Sequence, residues 1–419
     1  MISGQSSAGD IPMAETESLI GTRVLILFPH MVMSGGALNY MLKLANQLSD
    51  RGATVGILTM KVDPGRFPVP PGVDVISLEG PLTSSLRYWA LLPFWQLRLN
   101  RAIAAWMPDL LIPQVFPSNW WGWLYKRKHP EVKLAWVCQE PSAFIHSHAW
   151  IMALKPWWKS RMAMTLRPLL AALDIHLARF SDRVIANSRF TATEVERVYR
   201  IQADAIACPG IEFPATRDGD VRKERSLITV ARLTKFKRID FLLEVFAEVL
   251  KSHPELTYHI VGTGEDAAPL QERALYLGIA SRVIFHGSVD GQTLDGLYRS
   301  SCLFLHGSVN EPFGMAPLEA ISWGTPVVAH KSGGLTEFVT DRCGRLVNSL
   351  EVGTWAEEIG AYLGFLSTHP EVSEQVRDAA RSFDWRISLR PAVEVIAGLG
   401  EETGVITGCL SAKHPVPER

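Results

Sequence analysis

The stretch NEPFGMAPLEAISWGTPVVAH, Asn310 to His330, carries two carboxylates, Glu311 and Glu319, with seven residues between them. Pro312 to Gly314 reads as a loop and Ala316 to Trp323 as a helix closed by Gly324. A helix start leaves N–H groups without intrahelical partners, so Phe313, Gly314 and Met315 are placed to meet a phosphate or a sugar hydroxyl. Leu318 joins them as a donor-side residue. Glu311 then precedes the helix, and Glu319 lies about two turns inside it. One carboxylate could accept hydrogen bonds from a sugar while the other accepts them from a ribose. An E-x7-E pair alone is more often two ordinary surface glutamates. The Phe313-Gly314 pair and the GTPVV strand that follows make this one a binding candidate.

TVARLTKFKRID is the second chemical feature. Arg232 and Lys237 follow a buried strand and should emerge at its carboxyl end, where two fixed cations can neutralise a departing diphosphate without a metal. Read alone, Lys235, Lys237 and Arg238 could equally form a solvated basic turn. Two glycine loops are weaker signals. Ser34-Gly35-Gly36 would let backbone approach a phosphate. Gly262 and Gly264 in VGTGE form either a plain strand-ending turn or a wall beside a nucleotide base.

These residues need a scaffold, and the chain supplies two. With 419 residues it exceeds the size at which one core stops growing, ~250–300 residues, so two domains are expected. RVLILFP from Arg23, ATVGILTM, DLLIPQVF, KLAWVCQ and DRVIANS alternate with helical patterns, which indicates βαβ units and a parallel sheet. After Cys208 a Pro-, Gly- and charge-rich connector intervenes, and a second series begins at SLITVARL. The predicted organisation is a flexible tail over 1–20, an N-terminal domain over 21–209, a C-terminal domain over 210–385, and a closing helix and tail over 386–419 that could cross back. Both domains read as doubly wound α/β, with a cleft where the carboxyl ends of their strands face each other.

Net charge is −1 from 42 basic and 43 acidic side chains, so no global field would draw the protein onto nucleic acid. Five scattered cysteines without a C-x-x-C pair argue against a disulfide framework or a zinc site and fit a reducing cytoplasm. The polar first residues lack the basic start and apolar block of a signal peptide, and no run of about 18 uncharged apolar residues suggests a membrane span.

In the order and spacing of its motifs the chain resembles the retaining glycosyltransferases of family four, which have the two-domain GT-B fold. The matching elements are the SGG loop, Ala186 to Ser188 (ANS), Cys208 to Ile211 (CPGI), ARLTKFKR, VGTGE, EPFGMAPLEA, and the SGGLTEFV segment with Gly333, Gly334 and Glu337. The resemblance implies that Arg232 and Lys237 grip the donor diphosphate, Glu319 holds the ribose, and Glu311 contacts the transferred sugar. It implies that the Gly35-Gly36 loop closes over the phosphates, and that anomeric configuration is retained with no cofactor and no divalent cation.

One departure matters. Relatives often carry a C-H-E-P-like segment whose histidine approaches the sugar, whereas this chain has Cys138-Gln139-Glu140-Pro141. Gln139 can hydrogen-bond but cannot shuttle a proton near neutral pH. Either that role is positional, with Gln139 and Glu140 as sugar or acceptor contacts, or His146 or His148 supplies it. Arg238 stands where many relatives have glycine, a variant that resembles mannosyl-transferring members and suggests a GDP-mannose donor. Between Ser84 and Arg179 tryptophan and basic residues crowd together, which suits either an interfacial helix on an anionic bilayer or helices packed on the sheet. The partners so implied are a nucleotide sugar, a glycan or lipid-linked acceptor and a peripheral contact with the cytoplasmic membrane face. The alternatives are a sugar-nucleotide epimerase or phosphorylase on the same architecture, and a non-catalytic nucleotide-sugar-binding protein.

Overall fold

The computed structural model describes residues 19–402 apart from 34, 64, 66, 153–156, 214–222 and 370. Most of the expected N-terminal tail, Ser34, the charged connector and the closing residues therefore lie outside the described residues.

The first sheet contains β1 (Arg23–Leu27), β2 (Thr54–Thr59), β3 (Val73–Ser77), β4 (Leu110–Pro113), β5 (Lys133–Cys138), β6 (Arg183–Ala186) and β7 (Ala205–Ile206). All are parallel, in the order β3-β2-β1-β4-β5-β6-β7. Val24 to Leu27 in β1 are fully buried, as a strand covered on both faces requires. The helices that cover it are α1 (Gly36–Asp50), α2 (Leu92–Trp106), α3 (Ser118–Lys126), α4 (Trp157–Ala178) and α5 (Arg189–Tyr199). On α1, Leu38, Met41, Leu44, Ala45 and Leu48 recur at helical spacing and form its buried stripe. Gly52, at φ +91°, takes the left-handed turn that ends the helix.

The second sheet contains β8 (Glu224–Val230), β9 (Thr257–Val261), β10 (Val283–Gly287), β11 (Ser301–His306), β12 (Val327–His330) and β13 (Gly344–Val347), all parallel in the order β10-β9-β8-β11-β12-β13. Helices α6 (Ile239–Val249) and α7 (Met315–Ser322) cover opposite faces. Counted within each domain, both sheets share the order 3-2-1-4-5-6, so each reverses direction beside its first strand. In open α/β sheets ligands bind at the carboxyl ends of the strands flanking that point.

The last helix, α8 (Arg390–Glu402), leaves the second domain. Trp385, Leu389, Val393 and Ile396 join the first domain's core beside Tyr40 and Leu44. Trp385 meets Tyr40 edge-on at 6.1 Å, and its carbonyl accepts from Gln47 at 2.7 Å. The outgoing and returning chain segments touch, Ile211 N–H donating to Phe383 O at 2.8 Å. A Cβ on Gly210 would fall 2.7 Å from the Trp385 backbone, which explains the glycine of the CPGI hinge.

The tryptophan-rich region is partly packed on the sheet and partly exposed. Trp120, Trp121 and Trp123 on α3 are core residues under the sheet. On α4, Trp157 and Leu169 stand 71% and 70% exposed, and Leu166, Met162 and the α2 residues Phe94 and Leu97 are exposed too.

Candidate active site

Lys237 Nζ donates to both carboxylate oxygens of Glu311, at 2.6 and 2.7 Å. Lys237 ends the single turn Lys235–Lys237 that follows β8, and Glu311 lies in the loop after β11, so adjacent strand ends bring the pair together. His306, the last residue of β11, places Nε2 3.4 Å from Glu311, aligned too poorly for a hydrogen bond. Burial acts to raise the Glu311 pKa, but Lys237 and His306 outweigh it and hold the carboxyl well below the usual range. Arg232 projects into solvent beside this pair in sequence, and among the described residues its side chain bonds to nothing. One of the two expected cations is therefore already neutralised by a carboxylate, and the other is free to meet an anion.

Gly314, at φ +104°, turns the chain into α7. Among the described residues nothing accepts from the N–H groups of Phe313, Gly314 or Met315, as their place at a helix start predicts. The side chains of Phe313 and Leu318 point inward. Both are buried in the core, Phe313 against Phe338 at 5.1 Å, so only their backbone is available to a ligand. Glu319 lies one turn into α7 rather than two, and accepts from Tyr298 Oη at 2.9 Å. Burial raises its pKa.

The VGTGE glycines answer a packing need. A Cβ on Gly262 would lie 1.9 Å from Ala231 O, and one on Gly264 2.2 Å from Leu233 O. Hydrogen bonds from Ala231 N to Val261 O and from Leu233 N to Thr263 O run on both sides of Arg232. These glycines therefore seat the Arg232 loop. Gly333 and Gly334 do the same for Glu311: a Cβ on either would fall 2.3 Å from the carbonyl of Glu311 or Pro312.

The first domain faces this loop closely. A Cβ on Gly36 would come 2.9 Å from Met315 Cγ, so the Gly35-Gly36 loop abuts the start of α7. Gln139 and Glu140 follow β5. Asn187 donates to Gln139 Oε1 at 3.1 Å and Gln139 donates to Gln114 Oε1 at 3.4 Å, fixing the amide in a chain of uncharged groups. His146 is turned away from this role. Its Nε2 lies 2.8 Å from Asp174, a fully buried carboxylate that also takes bonds from Trp120 and Tyr199. His148 is exposed on the short helix His148–Met152. From that same helix Trp150 stacks on Phe236 of the Lys235–Lys237 turn, with centroids 4.4 Å apart and planes at 17°. Neither this stack nor the His306 contact has a local sequence signal, because each joins residues distant in the chain.

Glu140 keeps contact with solvent inside the cleft, yet protein from both domains surrounds it. Burial, and then the like charge of Glu311, lift its pKa to about 7, with Lys237 pulling the other way. Below that pH the group is neutral; above it the added negative charge repels a diphosphate. Nucleoside diphosphate affinity in wild type should therefore fall by a factor of about 2–5, relative to Glu140→Gln, between pH 6 and pH 8, solvent screening keeping the effect small. Calorimetric titration of both proteins checks this, since the nucleotide's own ionisation is common to both. Equal pH dependence would remove Glu140 from the donor's electrostatic environment.

Among the described residues no group of three or more His, Cys, Asp or Glu is clustered to hold a metal ion. No described helix is long and apolar enough to cross a membrane.

Residues 34–208 match the family model Glycosyltransferase Family 4, and residues 217–382 match Glycosyl transferases group 1. The chain belongs to this glycosyltransferase family. It is similar to D-inositol 3-phosphate glycosyltransferase 2 of Catenulispora acidiphila, with 31% identity over 51% of this chain and 56% of that protein. The chain thus spans little more than half the length of that relative. The D-inositol 3-phosphate glycosyltransferase of Xylanimonas cellulosilytica is 25% identical over 87% of this chain and 92% of its own. In fold this glycosyltransferase is similar to sucrose-phosphate synthase of Thermosynechococcus elongatus, with a TM-score of 0.73 at 20% identity, covering 92% of this chain and 100% of that one. It is also similar to HepE of Anabaena, solved with UDP and glucose, with a TM-score of 0.67 at 18% identity over 90% and 100% of the two chains. The fold is accordingly GT-B, two Rossmann-like domains facing across a cleft.

Proposed function

We propose that this glycosyltransferase moves a hexose from a nucleotide diphosphate sugar to a lipid-linked acceptor, retaining anomeric configuration and using no metal. The observation that carries the reading is the Lys237–Glu311 pair, with unbonded N–H groups at the start of α7 and the Gly36 loop against them; Arg232, exposed on the same loop as Lys237, adds a second cation. A diphosphate gains charge as its bond to the sugar breaks, and preorganised cations and N–H groups stabilise that charge with no reorganisation. Glu311 orients the lysine and offers oxygen atoms to sugar hydroxyls. Glu319 accepts from the ribose.

Arg238 favours a mannosyl donor. It holds the left-handed conformation, φ +50°, at the position where many relatives have glycine. Its Nε is buried without a partner, and its guanidinium lies 5.1 Å from the Phe241 ring centroid. A residue retained in that backbone region has a use for its side chain.

The acceptor reading rests on the exposed apolar residues of α2 and α4. Lys159 and Arg161 lie over Trp158 and Trp157, which is the composition of a face that meets an anionic bilayer. It would hold the first domain at the cytoplasmic membrane face. The test is thermal-shift screening with UDP-, GDP- and ADP-sugars in EDTA, followed by transfer assays on phosphatidylglycerol vesicles carrying a lipid extract. A GDP-sugar is expected to raise the melting temperature most, and labelled sugar should enter the organic phase. Binding without turnover would favour a nucleotide-sugar-binding protein, and purely aqueous product would favour a glycan acceptor.

A further inference from the structure

The loop bearing Glu311 is held from the other domain as well as from its own. Within the second domain, Asn310 N–H donates to Ser332 Oγ at 2.9 Å, and Gly334 N–H donates to Glu311 O at 2.8 Å. The turn Gly333–Glu337 is thereby stacked on the Glu311 loop, and its last residue reaches out. Glu337 spreads its two carboxylate oxygens over the start of α5 in the first domain, accepting from Arg189 N at 3.0 Å and from Phe190 N at 2.9 Å. A carboxylate at a helix start is favoured by both the free N–H groups and the dipole. Ser188, fully buried, is the N-cap of the same helix. Its Oγ accepts from Thr191 N at 2.9 Å and donates across the cleft to Pro312 O at 2.6 Å, one residue past Glu311.

We propose that Ser188 and Glu337 form an interdomain latch, and that both are positioning residues for transfer, acting through the Glu311 loop. The start of α5 grips this loop twice, directly at Pro312 and indirectly through the Gly333–Glu337 turn. Glu311 in turn fixes Lys237. The position of the acceptor-side domain is thus transmitted to the carboxylate and cation that meet the donor. When the domains separate, both bonds are lost and the loop is registered by its own domain alone. The chemical step then proceeds only when the two halves of the cleft are docked.

The proposal rests on the transfer reading, so the wild-type protein is the first control: no turnover of any donor would overturn that reading and leave the latch to the binding and scattering arms. Glu337→Ala, Glu337→Gln, Ser188→Ala and the Ser188→Ala/Glu337→Ala pair are compared with it. The assays are kcat for transfer, calorimetric titration of UDP and GDP, and solution scattering. Glu337→Ala should lower kcat by about 10- to 100-fold, the scale of a loop misplaced by about 1 Å. Nucleoside diphosphate affinity should change less than about threefold, because Arg232, Lys237 and the start of α7 stay in one domain. Glu337→Gln keeps one acceptor and should fall between, which preserves the test if the alanine variant does not fold. The pair should cost less than the product of the single effects, since either change frees the same loop. The radius of gyration should increase in the pair. Unchanged kcat, nucleotide affinity falling in step with kcat, multiplicative single effects or unchanged scattering would each overturn the latch.

Discussion

Glu311→Ala should reduce kcat by about 10²–10³-fold, equivalent to ~2.7–4 kcal/mol of lost transition-state stabilisation, the range seen when one preorganised electrostatic contact is removed. The variant takes away the ion-pair partner that Lys237 has among the described residues, so its ammonium then swings on a flexible four-carbon stem. It also removes the oxygens offered to the sugar. Glu311→Gln separates these effects, because the amide can still accept a hydrogen bond but carries no charge to fix the lysine. Its kcat should lie nearer to the alanine variant than to wild type if fixing the cation is the larger contribution. Melting temperature should change little, because the side chain belongs to the cleft and not to either core. Steady-state transfer kinetics with the best donor from the screen decide this. A variant as fast as wild type would remove Glu311 from the reaction.

Gly262→Ala should abolish donor binding and cost about 3 kcal/mol or more of stability, through backbone alone. The residue has φ +130°, a region closed to L side chains, and its Cβ would be driven to 1.9 Å from Ala231 O. Neither atom belongs to a flexible side chain, so no rotamer change relieves the contact. The loop carrying Arg232 must shift or the end of β9 must unpair. Differential scanning calorimetry and GDP titration test the two halves of the expectation together. An alanine variant with wild-type melting temperature and nucleotide affinity would show that the loop accommodates the methyl group. The same logic ranks Gly278 as a contrast. Its φ is +72°, but nothing lies within 4 Å of an added Cβ, so only the backbone cost of about 1–3 kcal/mol applies.

Much of the scaffold was legible in the chain because its signals are local. Apolar β-branched runs followed by helical periodicity specify parallel βαβ units whatever lies elsewhere, and both series are present. The candidate loop's local geometry was legible for the same reason: Glu311, Gly314 and Met315 are neighbours, and a helix start exposes N–H groups by its own geometry. That the side chains of Leu318 and Phe313 are buried is not legible in the sequence, because proximity to a site does not say which side of a helix or loop faces the core. For Gly262 and Gly264 the sequence leaves a strand-ending turn and a wall beside a base both open, because a glycine states only that space is short. What occupies that space, here the carbonyls of Ala231 and Leu233, is a matter of neighbouring strands.

Local signals alone specify two doubly wound domains, a carboxylate-bearing helix start and a basic turn after a strand. Each depends on interactions within a few residues or on the repeat of a single element. Long-range packing sets the rest: Lys237 is bound to Glu311, His146 serves Asp174, α8 completes the opposite domain, and Ser188 and Glu337 bind the halves together. Such contacts join residues 28 to more than 300 positions apart. They form only after chain reversal has brought strand ends together, and no local propensity encodes which ends those will be.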